Sequence, residues 1–314
     1  MTTLYSRWSR RQAAPRSAVA LLLLAGIGLS GCAAHPRATP GVINAVAAES
    51  QYASLLTQLG GPYVAVQAVM TNPNSDPHSF EASTSVAEAV SQAQLVVENG
   101  LGYDTFIQNM EQASPSSQRR TISAQHVLGL PDSTPNPHLW YDTTDMVSVA
   151  GAITAALITL APSHADYFRT ALRTFDASMG RLNATIALDR LRLTAAHVRM
   201  AVTEPVADYL LQNLGVQVAT PFRFQRDVMN GIDPAPQDVA LEDGLLTTRS
   251  VAALVSNQQV VSAVTASVVQ VAQRAHVPVV GVNETMPVHD TYQQWILATV
   301  QDLVAAAPES TPKG

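Results

Sequence analysis

The chain has 314 residues, a formal net charge of −6, 47% hydrophobic residues and 13% charged residues. That apolar content is enough for two ordinary cores, and single cores stop growing near this length. The mild acidity, with no basic stripe, argues against nucleic acid as a partner.

Arg7, Arg10, Arg11 and Arg16 precede the apolar run "AVALLLLAGIGLS", residues 18–30. A basic start followed by a short apolar run reads as an export signal over residues 1–31. The run is shorter than the roughly 20 apolar residues of a membrane-spanning helix. The Arg10-Arg11 pair is compatible with a twin-arginine signal, but the general secretory route is the plainer reading. The segment ends "LSGC", and Cys32 is the only cysteine, so no internal disulfide can form. "LSGC" resembles a bacterial lipobox, which makes Cys32 the expected lipidated start of the mature chain. A polar tether, residues 32–41, follows. No second long apolar run occurs, so the mature chain is not expected to span a membrane.

From residue 42 the pattern alternates. "VINAVAA" predicts a buried strand, "ESQYASLLTQLGG" a helix stopped by its glycines, and "YVAVQAVM" a strand. "STSVAEAVSQAQ" predicts a capped helix, "LVVENG" a strand, "DTFIQNMEQA" a helix and "RTISAQHVL" a strand. Two helical stretches follow, "TTDMVSVAGAITAALITLAP" and a long one from Ser163 to about Leu193. Alternation then resumes with "VRMAVTE", helix "PVADYLLQNLG", strand "VQVATPF", helix "PQDVALEDGLLTTR", strand "VAALVSN", helix "SAVTASVVQVAQRA", strand "VPVVGVNE" and helix "TYQQWILATVQDLVAA". Strands alternating with helices predict an α/β fold of two lobes. Each lobe is a parallel sheet of about four strands flanked by helices, and one long rigid helix joins them. The expected divisions are 42–162 for the first lobe, 163–193 for the linker helix, 194–308 for the second lobe and 309–314 for a tail.

Two loops repeat one small device. "NSDPHSF" holds His78 and "TPNPHLW" holds His138, each directly after a proline. Both loops follow a predicted strand, where parallel sheets bind ligands. The proline stiffens the backbone that aims the imidazole. A single histidine in such a loop is ordinarily a surface or core residue, but two in matching positions point to function. Glu204 ends "VRMAVTE" and Glu284 ends "VPVVGVNE". Either carboxylate could serve an adjacent helix N-terminus. Together with the two histidines they complete a donor set for a divalent transition metal.

These stretches carry a resemblance. "NPNSDPHSFEAST", "LVVENGLGYDTFI", "NPHLWYD" and "VTEPVADYLLQNLG", in this order, are similar to the metal-binding solute-receptor lipoproteins of bacterial ABC importers, the zinc and manganese uptake family. The resemblance covers essentially the whole mature chain. It implies two α/β lobes joined by a rigid helix, with the metal between them and with His78, His138 and Glu204 as ligands. The family's late aspartate has no match before Asp290. Glu284 stands where that ligand is expected, whereas Asp290 reads as the N-cap of the last helix and His289 as an exposed loop residue. The His-rich loop of some zinc receptors is absent, with His126 alone near that region.

The implied role is a high-affinity receptor for one Zn2+ or Mn2+ ion, exported and lipid-anchored. It would be monomeric, perform no chemistry, and deliver its ion to an ABC permease with a separate ATPase subunit. The chain has no G-x-x-x-x-G-K-[ST] of its own. A surface adhesin is the second reading. A metallohydrolase is the third, and it would need an open coordination position and a general base. Neither H-E-x-x-H nor G-x-S-x-G occurs.

Overall fold

The computed structural model describes residues 41–72, 80 and 83–307. The signal segment, Cys32, His78 and the tail from 308 lie outside the described residues.

The first sheet contains β1 (Ile43–Glu49), β2 (Val64–Met70), β3 (Leu95–Glu98) and β4 (Arg120–Ser123), all parallel in the order β2-β1-β3-β4. Its helices are α1 (Ser50–Gly60), α2 (Thr84–Gln92), α3 (Thr105–Ala113), the single turn α4 (Ala124–Val127) and α5 (Asp145–Leu160). One continuous helix follows, α6 (Ala165–Ala195), 31 residues long. The second sheet contains β5 (Arg199–Val202), β6 (Gln217–Val218), β7 (Ala253–Asn257) and β8 (Val279–Val282), parallel in the order β6-β5-β7-β8. Its helices are α7 (Asp208–Asn213), α8 (Phe222–Met229), α9 (Pro236–Thr247), α10 (Ala263–Arg274) and α11 (Tyr292–Ala305). The expected α/β class and the two four-stranded parallel sheets are therefore present, and the same strand order occurs twice.

Each sheet is covered on both faces, as parallel sheets require. Successive β1 side chains alternate between two clusters: Ile43, Ala45 and Ala47 pack toward α1, α5 and α6, while Val46 and Ala48 pack with Val90 of α2 and Ile107 of α3. In the second sheet Ala253 and Val255 join the first of those clusters, and Leu254 faces Phe224 of α8 and Val268 of α10. The inner cluster runs unbroken through both lobes. Along α6 it takes Phe168, Phe175, Met179, Leu182, Ile186 and Leu193, a stripe at helical spacing.

The structure corrects four local expectations. "RTISAQHVL" is a strand only to Ser123; the chain then turns into α4, where Gln125 fastens it by accepting from Leu101 N at 2.7 Å and donating to Asp132 at 2.7 Å. "VQVATPF" yields only the two strand residues of β6, because Pro221 opens α8, which buries Phe224 and Val228 at i, i+4 spacing. The helix expected from Pro205 starts at Asp208. Thr291, not Asp290, caps the last helix: its hydroxyl accepts from Gln294 N, and the Gln294 side chain accepts from Thr291 N at 2.8 Å.

Candidate metal centre

His138 is fully buried, at the entry to a 3-10 turn over Leu139–Tyr141. Its loop is pinned from the first sheet. Tyr52 Oη donates to Asn99 Oδ1 at 2.7 Å, which turns Asn99 Nδ2 toward the Pro137 carbonyl at 2.8 Å. Asn99 itself is set by a tight turn in which Gly100, at φ +85°, and Asn99 both donate backbone N–H to the Asp104 carboxylate, at 3.0 and 2.5 Å. A side chain at Gly100 would be strained at that φ and would strike Gln125.

Asn136 decides the state of the imidazole. Its Nδ2 donates to the Pro205 carbonyl at 2.7 Å, so its Oδ1 is the acceptor for His138 N at 3.0 Å and for His138 Nδ1 at 2.7 Å. In a neutral imidazole this acceptor favours the ring proton on Nδ1 and leaves Nε2 the unprotonated nitrogen. Metal-ligating histidines are held in this way by an acceptor on the far nitrogen.

Nε2 stands 3.2 Å from Glu284 Oε2, with both side chains out of contact with solvent. A proton on Nε2 makes this contact a hydrogen bond to the carboxylate, and a divalent cation would suit the same pair of donor atoms. Glu284 lies just past β8 and is 1% exposed. Its backbone N–H donates to Gln259 Oε1 at 2.6 Å; its Oε1 accepts from Asn257 Nδ2 at 2.7 Å and its Oε2 from Tyr103 Oη at 2.7 Å. Burial and the nearby Glu284 carboxylate push the Tyr103 phenol well above its usual range, which keeps it a donor.

Glu204, 3% exposed and two residues past β5, joins the group through Asn257, whose Nδ2 lies 3.3 Å from Glu204 Oε1. The structure thus brings His138 and Glu284 into contact and links Glu204 to them through an amide. Among the described residues, no three His, Cys, Asp or Glu side chains form a closed cluster by themselves. His78 lies outside those residues; its loop leaves β2 beyond Met70, and Phe80 on its far side packs at 4.8 Å between centroids on Phe106. Asp290 and His289 are exposed beyond this group.

Behind the site the interior is acidic. Burial and Asp104 raise the Glu49 carboxyl well above its ordinary range, burial raises Asp104 to about 6, and burial with Asp104 raises Glu98 to about 7. Sequence reasoning missed Tyr103, Asn136 and Asn257. Asn136 sits in "TPNPHLW" two positions before the histidine, and Asn257 ends "VAALVSN", a strand end like those that supplied the carboxylates.

The chain is 25% identical over 159 residues to the manganese-binding lipoprotein MntA of Bacillus subtilis (strain 168), covering 48% of this chain and about half, 52%, of that protein. The periplasmic zinc-binding protein TroA of Treponema pallidum superposes with a TM-score of 0.72 at 18% identity, covering 85% of this chain and 99% of that one. FpvC of Pseudomonas aeruginosa, solved with Mn2+, superposes with a TM-score of 0.70 at 19% identity over 85% of this chain and 98% of that one. At such identities the two structures establish the shared fold. The sequence profile of ZnuA, the zinc-uptake complex component A periplasmic family, matches residues 45–306, from within β1 past the end of α11. The chain belongs to the ZnuA family.

Proposed function

We propose that this protein is an extracytoplasmic receptor that binds one divalent transition-metal ion, Zn2+ or Mn2+, and delivers it to an ABC permease powered by a separate ATPase subunit. The observation that carries the reading is the contact between His138 Nε2 and Glu284 Oε2 at 3.2 Å, with Asn136 favouring the histidine proton on the other side of the ring. His138, Glu204 and Glu284 are the proposed ligands from the described residues, and His78 is the proposed fourth. Membership of the ZnuA family and the metals named for its relatives support the ion class. The name of MntA supports reading Cys32 as a lipid anchor that holds the exported chain at the membrane face. The protein binds and releases without turnover; a buried, hydrogen-bonded donor set suits tight capture rather than catalysis.

Competition against a chromophoric chelator tests the reading. Metal-free protein should take up one Zn2+ or Mn2+ per chain, and His78→Ala, His138→Ala and Glu204→Ala should each weaken binding by at least about tenfold. Loss of protein-bound metal should also follow acidification, because a ligating imidazole must be unprotonated. No stoichiometric uptake, or uptake indifferent to all three substitutions, would overturn it.

A further inference from the structure

We infer that Glu49 is a positioning residue that keeps its proton, donates it to the Asp104 carboxylate and so holds the turn that fixes the His138 loop. The inference rests on the proposed metal-receptor reading and concerns how the site is kept in shape.

Glu49 is the last residue of β1 and is 2% exposed. Ala47 is level with Val97 in the pairing of β1 with β3, which sets Glu49 beside Asn99, the residue that follows β3. The Glu49 carboxyl meets the carboxyl of Asp104, which is fully buried. Asp104 is well supplied with donors: Asn99 N reaches its Oδ2 at 2.5 Å and Gly100 N its Oδ1 at 3.0 Å. Glu49 has no such supply. Among the described residues neither of its oxygens receives a well-formed hydrogen bond, and only its own backbone N–H lies near. The other titratable groups acting on it are Glu98, Tyr52 and Tyr103, and none of these is a cation.

Two carboxyl groups in a dry contact do not both ionise, because each charge raises the cost of the other. One of the pair holds a proton, and the donors decide which. Asp104 has two N–H groups to stabilise its charge, whereas an ionised Glu49 would be a buried anion without a donor. The proton therefore stays on Glu49, and burial first, then the Asp104 charge, raise that carboxyl well above its ordinary range. A neutral carboxyl can donate, and its O–H to a carboxylate is among the shorter and stronger hydrogen bonds. Asp104, held in this way, fixes Asn99, whose Nδ2 donates to the Pro137 carbonyl at 2.8 Å, one residue before His138. Next to Glu49, Ser50 Oγ accepts from Met286 N at 3.0 Å, two residues beyond Glu284. The end of β1 thus touches the supports of both His138 and Glu284.

The test uses the full mature chain, with infrared difference spectra of metal-free protein at neutral pH and Zn2+ as the probe in chelator competition. Wild type minus Glu49→Gln should show the carbonyl stretch of a protonated carboxylic acid, shifted in D2O, because glutamine removes that one group and leaves the other acids in place. Glutamine also keeps the size and an N–H donor for Asp104. Glu49→Gln should therefore bind Zn2+ within about twofold of wild type, and Glu49→Ala about tenfold more weakly, the scale of supporting-residue effects at metal sites. Absence of the acid band would overturn the inference. So would Glu49→Gln binding as weakly as Glu49→Ala, which would make Glu49 an anion, or Glu49→Ala binding as well as wild type. If Glu49→Ala does not fold, the band and the Glu49→Gln affinity decide alone. Failure of wild type to bind Zn2+ would instead overturn the receptor reading, while the band would still locate the proton.

Discussion

Replacing Glu284 with alanine separates Glu284 from Asp290 as the match to the family's late aspartate. The substitution removes the partner of His138 Nε2 and the acceptor of both Tyr103 Oη and Asn257 Nδ2. Two buried donors lose a charged acceptor, each loss worth about 1–3 kcal/mol, while the cost of holding a carboxylate out of water disappears. These effects oppose, so the metal-free melting temperature should move little. The metal-bound state has no such compensation. At free metal 1,000-fold above the dissociation constant, wild type should gain about 4 kcal/mol. A 100-fold weaker site at the same metal concentration is only about tenfold above its constant, and the gain shrinks to about 1.4 kcal/mol. Asp290 is exposed and leaves the capping of α11 to Thr291. Asp290→Ala should therefore stay within about 0.5 kcal/mol of wild type with and without metal. Thermal melts of the three proteins at matched free Zn2+ measure all of this. The reasoning is refuted if Asp290→Ala abolishes the metal-dependent gain and Glu284→Ala keeps it.

Asn136→Ala should weaken metal binding by about 10- to 100-fold in chelator competition, because it frees the His138 ring and cuts the bond to Pro205 beside Glu204. Glu242 is fully buried in α9, and burial first, then Asp243, raises it from 4.5 to about 7. The folded state then holds this proton more tightly than the unfolded chain, so the contribution to stability is full below about 4.5 and is lost as pH rises to about 7. Glu242→Gln should accordingly be more stable than wild type at pH 8 by about 3 kcal/mol and level with it near pH 4, as read by denaturant melts. Cys32→Ala should release the protein from the membrane fraction on cell fractionation; a variant that stays bound would point to another anchor.

The alternation of apolar strands with helices of 3.6-residue period made the class and the doubling of lobes legible, because parallel strands covered on both faces read as short continuous apolar runs. Glu204 and Glu284 stood out for a different reason: each lies just past a strand, where this topology opens its loops, whereas His138 lies well beyond β4 and α4 and was marked only by the proline before it. Pattern failed where one short element gave way to another without a glycine. Ser123 passes directly into Ala124, so "SAQHV" looked like more strand, although Gln125 bonds to two other segments, at Leu101 and at Leu130 and Asp132. Phe222 looked like the end of β6, although Phe224 and Val228 already marked a helix face. Asn136 and Asn257 escaped because an asparagine's role is set by which partners its two ends find, and those partners are as far as 69 residues away in the chain, as with Pro205.

Asn257 and Tyr103, which hold the two glutamates, are both uncharged. Both supports are neutral hydrogen-bond donors, so they orient the acids without cancelling their charge. Acids held in this way draw cations through a field that salt screens over about 8–10 Å. For an ion held by the proposed ligands, on side chains withdrawn from solvent, that screening is weak. Ionic strength should consequently slow capture while leaving escape nearly untouched. A carrier built this way loads at a rate set by the medium and keeps its cargo for a time set by the protein.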